Sequence, residues 1–399
     1  MPKIVFAADS HLNKHYMRMT PDQLSLRRDK LRLGWSQTVD FAIRERADLY
    51  IHGGDLFDNS NPRAAELVWT AGQFQRLADA GVKVLLIGGN HDIPKSRQQG
   101  ATPQRLFDAV RLAHVFTRPT AVEWWTTEIG GVKLAIGGLP PDPRLGLEED
   151  PLAVLQEPIS PPEADCVLLV THYAVEGTLH PLAEEPTIKK ASIAALAGTV
   201  DYMLLGHIHT GREMDIGGVK VFFPGPTERT NFGELDVRCG FGLITIEGRR
   251  PCRIQSRHIY LDPQPMRRET VRTTDIPDEE PTAWLTERVR GWSAADQILQ
   301  VRLEGPLVRA KYHALRFLDV FQVGHDLNFY FDLDRHTVEL RDETAAAVRS
   351  GIRVSPRSEL ARVADVLMEA ADSDEERELL AEARSLVLEQ YGTGALDES

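Results

Sequence analysis

The stretch Val84-Leu85-Leu86-Ile87-Gly88-Gly89-Asn90-His91-Asp92 decides how this chain is read, because an apolar run hands over through glycine to an amide, an imidazole and a carboxylate. The same hand-over recurs. Ile4-Val5-Phe6 precedes Asp9-Ser10-His11, and Leu49-Tyr50-Ile51 precedes Gly54-Asp55. Val167-Leu168-Leu169-Val170 leads into Thr171-His172, and Met203-Leu204-Leu205 into Gly206-His207-Ile208-His209. Short apolar runs bounded by turn residues read as buried strands. Sites in α/β sheets form at the carboxyl ends of strands, where loops converge while the strands stay rigid. Gly, Asn and Asp favour turns for conformational reasons of their own, so a capped turn accounts for any single run. It does not account for histidine at four of these strand ends.

The residue types point to divalent metals. Hydrolysis of a phosphodiester needs a nucleophile at neutral pH and a counter-charge for the phosphate, and two ions about 3.5–4 Å apart supply both. Ions that close need an anionic bridge, for which Asp55 is the natural candidate. Imidazole, carboxylate and amide oxygen together suit manganese, iron, zinc or nickel better than calcium. Residues two apart, as in Asp9/His11 and His207/His209, project to one side of an extended segment and reach one cluster.

Asp-x-His, Gly-Asp, Gly-Asn-His-Asp, His and Gly-His-x-His, in that order, resemble the calcineurin-like metallophosphoesterase superfamily. Gly54-Asp55-Leu56-Phe57-Asp58 narrows the resemblance to the bacterial SbcD-type DNA double-strand-break repair nucleases. So do the run from Pro224 to Glu234 and the following Gly240-Phe241. The resemblance implies an α/β fold, a sandwich of two mixed sheets flanked by helices, with a small α+β cap domain and a C-terminal helical hairpin. It implies one metal on Asp9, His11, Asp55 and His209, and another on Asp55, Asn90, His172 and His207, with Mn2+ the expected ion. His91 matches the family's non-ligand histidine at the scissile oxygens, with Asp92 expected to orient it. Asp58 stands where related archaeal and eukaryotic nucleases carry a second histidine, in agreement with the SbcD branch. Asn59 follows it where protein phosphatases have arginine.

Composition sets looser bounds. The chain has 399 residues, 42% hydrophobic and 26% charged, enough for a sizeable core in two or three units. Three scattered cysteines, Cys166, Cys239 and Cys252, indicate no disulfide framework. No signal peptide or membrane-spanning run is visible, so the expected location is the cytoplasm, with no membrane partner. A net charge of −13 is unusual for a dedicated DNA-binding domain. Acidic residues gather at 148–150, 278–280 and 372–378, away from the ligand runs, and bound metals add positive charge where phosphate sits. Arg63, Arg97, Arg212 and Arg229 lie near the motif loops as candidate DNA contacts, against the plainer reading of solvated surface arginines.

The layout predicts a catalytic domain over 1–262, an α+β capping domain over 275–350 and a helical docking segment over 355–392. Helices are expected at Pro21–Arg46 and Pro62–Ala80. In the second part a helix at Thr282–Trp292, a strand at Ile298–Glu304, a helix at Leu307–Phe321 and strands at Leu327–Leu333 and Thr337–Arg341 are expected. Trp124-Trp125 reads as core packing, with base stacking the outside alternative. In the tail, a helix from Ser355 and a second opened by a Ser373/Glu376 capping box carry apolar stripes. The combined expectation is a metal-dependent exo- and endonuclease for double-stranded ends and single-stranded DNA, working with an SbcC-like coiled-coil ATPase and able to form a homodimer. The competing readings are a small-molecule phosphodiesterase or phosphatase, and a DNA-end-binding scaffold subunit with slow chemistry.

Overall fold

Alternate residues of strand β1 (Lys3–Ala7) enter different hydrophobic layers: Val5 and Ala7 pack beneath helices, Ile4 and Phe6 between two sheets. This period-two division is why the strand is apolar throughout. The computed structural model describes residues 1–95, 100–178, 185–250, 252–341, 361, 363–365, 367, 368, 371 and 373–390. The first sheet combines β1 with β2 (Leu49–Gly53), β3 (Lys83–Ile87), β4 (His114–Phe116), β13 (Gly240–Glu247) and β14 (Arg253–Tyr260). Its order is β14-β13-β1-β2-β3-β4, with β1 to β4 parallel and the other two antiparallel. The second sheet contains β5 (Glu123–Ile129), β6 (Val132–Leu139), β7 (Cys166–Thr171), β10 (Tyr202–Leu205), β11 (Arg212–Ile216) and β12 (Val219–Phe223). In the order β11-β12-β10-β7-β6-β5 its four inner strands are parallel and both edges antiparallel. β8 (Ala174–Val175) and β9 (Thr187–Ile188) form a short separate pair. The expected sandwich of mixed sheets is therefore present.

Helices cover the first sheet. α1 (Pro21–Arg44) starts at a capping box in which Thr20 and Gln23 exchange side-chain and backbone hydrogen bonds, with Pro21 in the first turn. Its Leu31, Trp35 and Val39 join Phe74 and Leu77 of α2 (Ala64–Asp79) and Phe107 of α3 (Arg105–Ala109) in one core. The outer face of the second sheet is closed by α4 (Lys190–Ala194) and by loop residues Leu145, Leu152, Leu155 and Ile159. The neighbouring Trp124 and Trp125 point to opposite faces of β5, one toward that outer core and one between the sheets, so both are packing residues.

After residues 262–265, β15 (Met266–Arg272), β16 (Ile298–Val308) and β17 (Tyr330–Arg341) form a three-stranded sheet, with α5 (Pro281–Trp292) between the first two strands in sequence. The expected helix over 307–321 is replaced by three pieces. Buried Leu307 continues the strand to Val308, α6 (Arg309–Ala314) buries no residue, and α7 (Phe317–Leu327) restarts with Val320 and Gly324 buried. The two short strands expected at 327–333 and 337–341 are one, because Asp334 is held across the ladder by Arg302 at 2.8 Å instead of opening a turn. The chain divides into two compact units, 1–305 with 314–338, and 306–313 with 339–399. In the second, α8 (Asp374–Gln390) is the later of the two expected tail helices; most of the earlier one lies outside the described residues. Among the described residues no helix is long and apolar enough to cross a membrane.

A fully buried arginine fixes α1 to the segment that carries Gln264. Arg27 Nη1 donates to Gln264 Oε1 at 2.8 Å, Nη2 donates to the Arg229 carbonyl, and the guanidinium lies 3.4 Å from the buried Glu228 carboxylate. Removing one member of a buried ion pair strands the other, at a cost of about 3–5 kcal/mol. Arg27→Ala is accordingly expected to destabilise the protein by about 3 kcal/mol in denaturant unfolding, with Glu228→Gln in the same chain restoring part of the loss. An unchanged midpoint would show that this pair does not hold the junction.

Candidate metal centre

The five loops meet at one edge of the sandwich. Asp9 and His11 follow β1, Asp55 follows β2, Asn90 follows β3, His172 follows β7, and His207 and His209 follow β10. The first two loops are zipped by backbone hydrogen bonds: the Asp9 amide donates to the Gly54 carbonyl (3.1 Å), and the Ser10 and His11 amides to the Asp55 carbonyl (2.9 and 3.0 Å). Four of the seven candidate ligands have left-handed backbones, Asp9 (φ 52°), His11 (φ 44°), Asp55 (φ 52°) and His207 (φ 82°). Such conformations are costly outside glycine and collect at functional sites. Gly54 (φ 99°) has no room for a side chain, since a Cβ would lie 2.3 Å from His172 Nδ1; one on Gly89 would lie 2.1 Å from Asp55 Oδ1. Glycine is required at both positions by close approach between loops.

The imidazoles are oriented from outside and converge inside. His172 Nδ1 donates to the Gly53 carbonyl (2.7 Å), which leaves Nε2 3.1 Å from Asn90 Oδ1 and 3.3 Å from Asp55 Oδ2. His209 Nδ1 faces Glu234 Oε1 at 2.9 Å, and its Nε2 lies 3.2 Å from His11 Nε2 and 3.8 Å from Asp9 Oδ1. His11 turns Nδ1 toward Asp58 Oδ1 (3.3 Å), and its Nε2 is 3.8 Å from Asp55 Oδ2. His207 directs Nε2 to Glu185 Oε1 (2.9 Å) and Nδ1 to Asn90 Oδ1 (3.1 Å). An outward nitrogen held by an acceptor and an inward one left as a lone pair is the arrangement of metal-binding histidines. Two ring nitrogens face each other at 3.2 Å and one amide oxygen faces two imidazoles, so donor atoms from four loops are gathered where a cation would find them. The donor set fits divalent metal: Asp9, His11 and His209 form one group of candidate ligand atoms and Asp9, Asp55 and His172 another, each within 4.8 Å.

Charge confirms the balance of the cluster. Burial raises the Asp55 carboxyl, but His172, His11 and His91 outweigh it and hold the group below the usual range. Burial likewise opposes protonation of His172, and Asp55 and Asp9 overcome it, pushing this imidazole up to about 10. His209 is raised against burial by Glu234 and Asp9, while burial is opposed at Glu234 by His209, which takes that carboxyl down to about 2.

His91 is the most exposed imidazole of the cluster, with 42% of its side chain accessible. Its Nδ1 lies 3.2 Å from the Asp58 carbonyl, its amide donates to Asp55 Oδ1 at 2.9 Å, and its ring meets His11 edge-on. Asp92 does not orient it. That carboxylate is buried and accepts from the amides of Gly89 (2.6 Å), Leu56 (2.9 Å) and Phe57 (3.4 Å) and from Gln104 Nε2. It thereby clamps the Asp55 loop to the Asn90 loop, and its role is in positioning those loops. Burial and the Asp55 charge raise its pKa against these donors.

Sequence reasoning did not assign Glu234, Glu185 or the Gly53 carbonyl to the cluster. Glu234 closes the run from Pro224 used to recognise the family, and its spacing from His209 was the available signal. Glu185 lies in a polar loop with no signal of its own. Nor was buried His52 foreseen; it faces Ser10 Oγ at 3.0 Å, and burial takes it down to about 3. The arginines are dispersed. Arg63 is exposed at the start of α2, Arg212 opens β11 half-buried, and Arg229 donates through Nε to the Val237 carbonyl at 3.1 Å. Arg97 lies outside the described residues. Beside the cluster a cleft of about 320 Å³ is lined by Asn90, His172, Glu185 and His207 together with Ile93, Lys95, Pro141, Asp142, Pro143, Leu145, Tyr173 and Pro186.

The sequence profile of the calcineurin-like phosphoesterases matches residues 2–211. Curated relatives named DNA double-strand break repair protein Mre11 include one from Haloferax volcanii, 28% identical over 76% of this chain and 62% of the relative. Another, from Sulfurisphaera tokodaii, is 29% identical over 55% of this chain and 52% of the relative. A third, from Saccharolobus solfataricus, is 28% identical over 53% of this chain and 50% of the relative. The chain thus spans between half and about three-fifths of the length of these relatives.

Asp92→Asn keeps size but offers one acceptor oxygen to donors that now meet two, and places an amide against at least one of them. Leaving a buried donor unsatisfied costs about 1–3 kcal/mol. A loss of about 2 kcal/mol in urea unfolding is expected, with the slope unchanged. An unaltered midpoint would mean that the two loops hold together without this carboxylate.

Proposed function

The chain belongs to the calcineurin-like phosphoesterase family, and from that membership we propose that it is a two-metal nuclease hydrolysing DNA phosphodiester bonds. The convergence of four imidazoles, one amide oxygen and two carboxylates on one point carries the reading. The relatives' name carries the choice of DNA. One ion is assigned to Asp9, His11, Asp55 and His209, the other to Asp55, Asn90, His172 and His207, with Mn2+ the proposed ion. When bound, such ions supply an acidified water and a counter-charge for the phosphate.

This chain's own residues do the rest. Asp55 presents one oxygen to both imidazole sets while the other accepts the His91 amide, so ligand and acid are held in one frame. His91, with Nδ1 directed to the Asp58 carbonyl, is assigned the role of giving its Nε2 proton, as imidazolium, to the oxygen that leaves phosphorus as the P–O bond breaks; burial lowers its pKa and the Asp55 and Asp58 carboxylates oppose that. Glu234, Glu185 and the Gly53 carbonyl keep His209, His207 and His172 aimed inward. The half-apolar cleft beside Asn90 suits a nucleoside next to the scissile phosphate. The domains over 1–262, 275–350 and 355–392 are read as catalyst, cap and docking segment. Exposed Val363, Leu367, Leu379 and Leu386 supply the apolar surface on which an SbcC-like ATPase would sit. Residues Arg63, Arg212 and Arg229 are proposed to contact DNA flanking the cleft.

Purified protein is expected to cut labelled linear or hairpin DNA with manganese and to stop in excess chelator. Asp55→Asn is expected to lose cleavage and at least one equivalent of bound metal. Turnover of a model diester with no cut in any DNA would move the function to small molecules, and full activity in chelator would end the two-metal reading. A separate expectation concerns His91→Ala, which should retain both metals and lose roughly 10²–10⁴-fold in rate, the usual contribution of a general acid. Metal loss in that variant, seen by elemental analysis, would make His91 a ligand and displace one of the assigned set.

A further inference from the structure

At the end of the sandwich remote from the metal cluster, three donors from three chain segments come together. The sulfurs of Cys166 and Cys252 and a carboxylate oxygen of Asp201 all lie within 4.8 Å of one another. Cys166 is the first residue of β7, whose far end leads to His172; Asp201 directly precedes β10, whose far end leads to His207. Cys252 immediately precedes β14, an edge of the other sheet, and packs against the inter-sheet core in which Cys166 is wholly buried. Shortly before Cys252 in sequence, Arg249 Nε donates to the Gly131 carbonyl (3.2 Å) and an Arg250 guanidinium nitrogen to the Gly198 carbonyl (2.8 Å).

We propose that Cys166 and Cys252 form a reversible disulfide site that staples the two sheets together at the foot of the sandwich. A metal is the other occupant such donors bring to mind. Structural zinc takes four protein ligands, whereas this group has three among the described residues, and Asp201 Oδ2 already accepts the Val167 amide at 2.8 Å. The two sulfurs lie within 4.8 Å of each other, against a bonded distance of about 2.05 Å, and Cys252 is the less buried of the two. The division of labour between the thiols follows from their surroundings. The hydrogen bond from Cys166 lowers the Cys252 thiol against burial, whereas that same bond and burial raise Cys166. Cys252 is therefore the attacking sulfur.

With a peroxide as oxidant, the Cys252 thiolate attacks the O–O bond, becoming a sulfenic acid and releasing one water after proton transfer. Cys166 sulfur then attacks Cys252 sulfur, its proton leaving with the hydroxyl as a second water. Two thiols and one peroxide give one disulfide and two waters, and a dithiol reverses the change by exchange. In a reducing compartment the pair stays open and closes under oxidative challenge.

The test uses the full chain, reduced, freed of reductant and treated with one equivalent of hydrogen peroxide. Expected are the loss of two hydrogens in intact mass, a peptide cross-linked through Cys166 and Cys252, and a third thiol, Cys239, still alkylated after denaturation. The apparent Tm should rise on oxidation and return with dithiothreitol. Cys252→Ser should abolish the cross-link and the Tm rise, and Cys239→Ser should keep both; should the first variant fold poorly, Cys166→Ala gives the same readout. Three results would overturn the proposal: both thiols still alkylated, Cys252 carried to sulfinic acid with no cross-link, or zinc that copurifies and is lost in Cys252→Ser.

Discussion

Two carboxylates, Asp9 and Asp55, are removed from water at the edge where both sheets end, and their partners among the described residues are imidazoles and backbone amides. Burying like charges together is unfavourable unless opposite charge is brought to them. The rest of the site can be understood as the means of bringing it. Both sheets must send loops to one point, so strands from each must terminate at the same level. The loops must approach closely enough to exclude a Cβ at Gly54 and Gly89. Several ligands must adopt backbone that L-residues avoid, and the Asp92 clamp and the Asp9–His207 backbone contact hold them there. The stability of the sandwich is what keeps such loops strained.

Helix α1 carries this rigidity outward. Its N-terminal turn binds the Phe329 carbonyl through Gln23, its middle holds Gln264 through Arg27, and Lys30 reaches Asp296 at 2.7 Å. The Arg229 and Glu228 atoms that meet Arg27 belong to the same loop as Glu234, which orients His209. One helix thus touches Gln264, the three-stranded sheet's connections and the loop that orients the candidate ligand His209.

Much of the layout was legible in the chain. Strand ends followed by Asp, Asn or His are local patterns, and the loops that carry the seven candidate ligands meet at one edge of the sandwich. The α1 start was legible for a similar reason, since Thr20, Pro21 and Gln23 form a local signature. What was not legible depends on distance in sequence. Asp92 follows His91, and adjacency suggested a partnership; the carboxylate instead spans to Leu56 and Phe57. Glu185 and Glu234 find their histidines only through the folded loops. In the smaller sheet, Leu307 was expected to open a helix, and it instead extends β16 as a buried strand residue.

The tryptophans happen to be distributed one layer at a time. Trp35 and Trp69 lie under the helices, Trp125 between the sheets with Lys83 over its ring, Trp124 on the outer face of the second sheet, and Trp284 and Trp292 on α5. Each layer therefore carries its own fluorophore in a distinct surrounding. Single-tryptophan versions of the chain would report the loosening of the helical layer, the inter-sheet layer and the outer layer as separate optical signals.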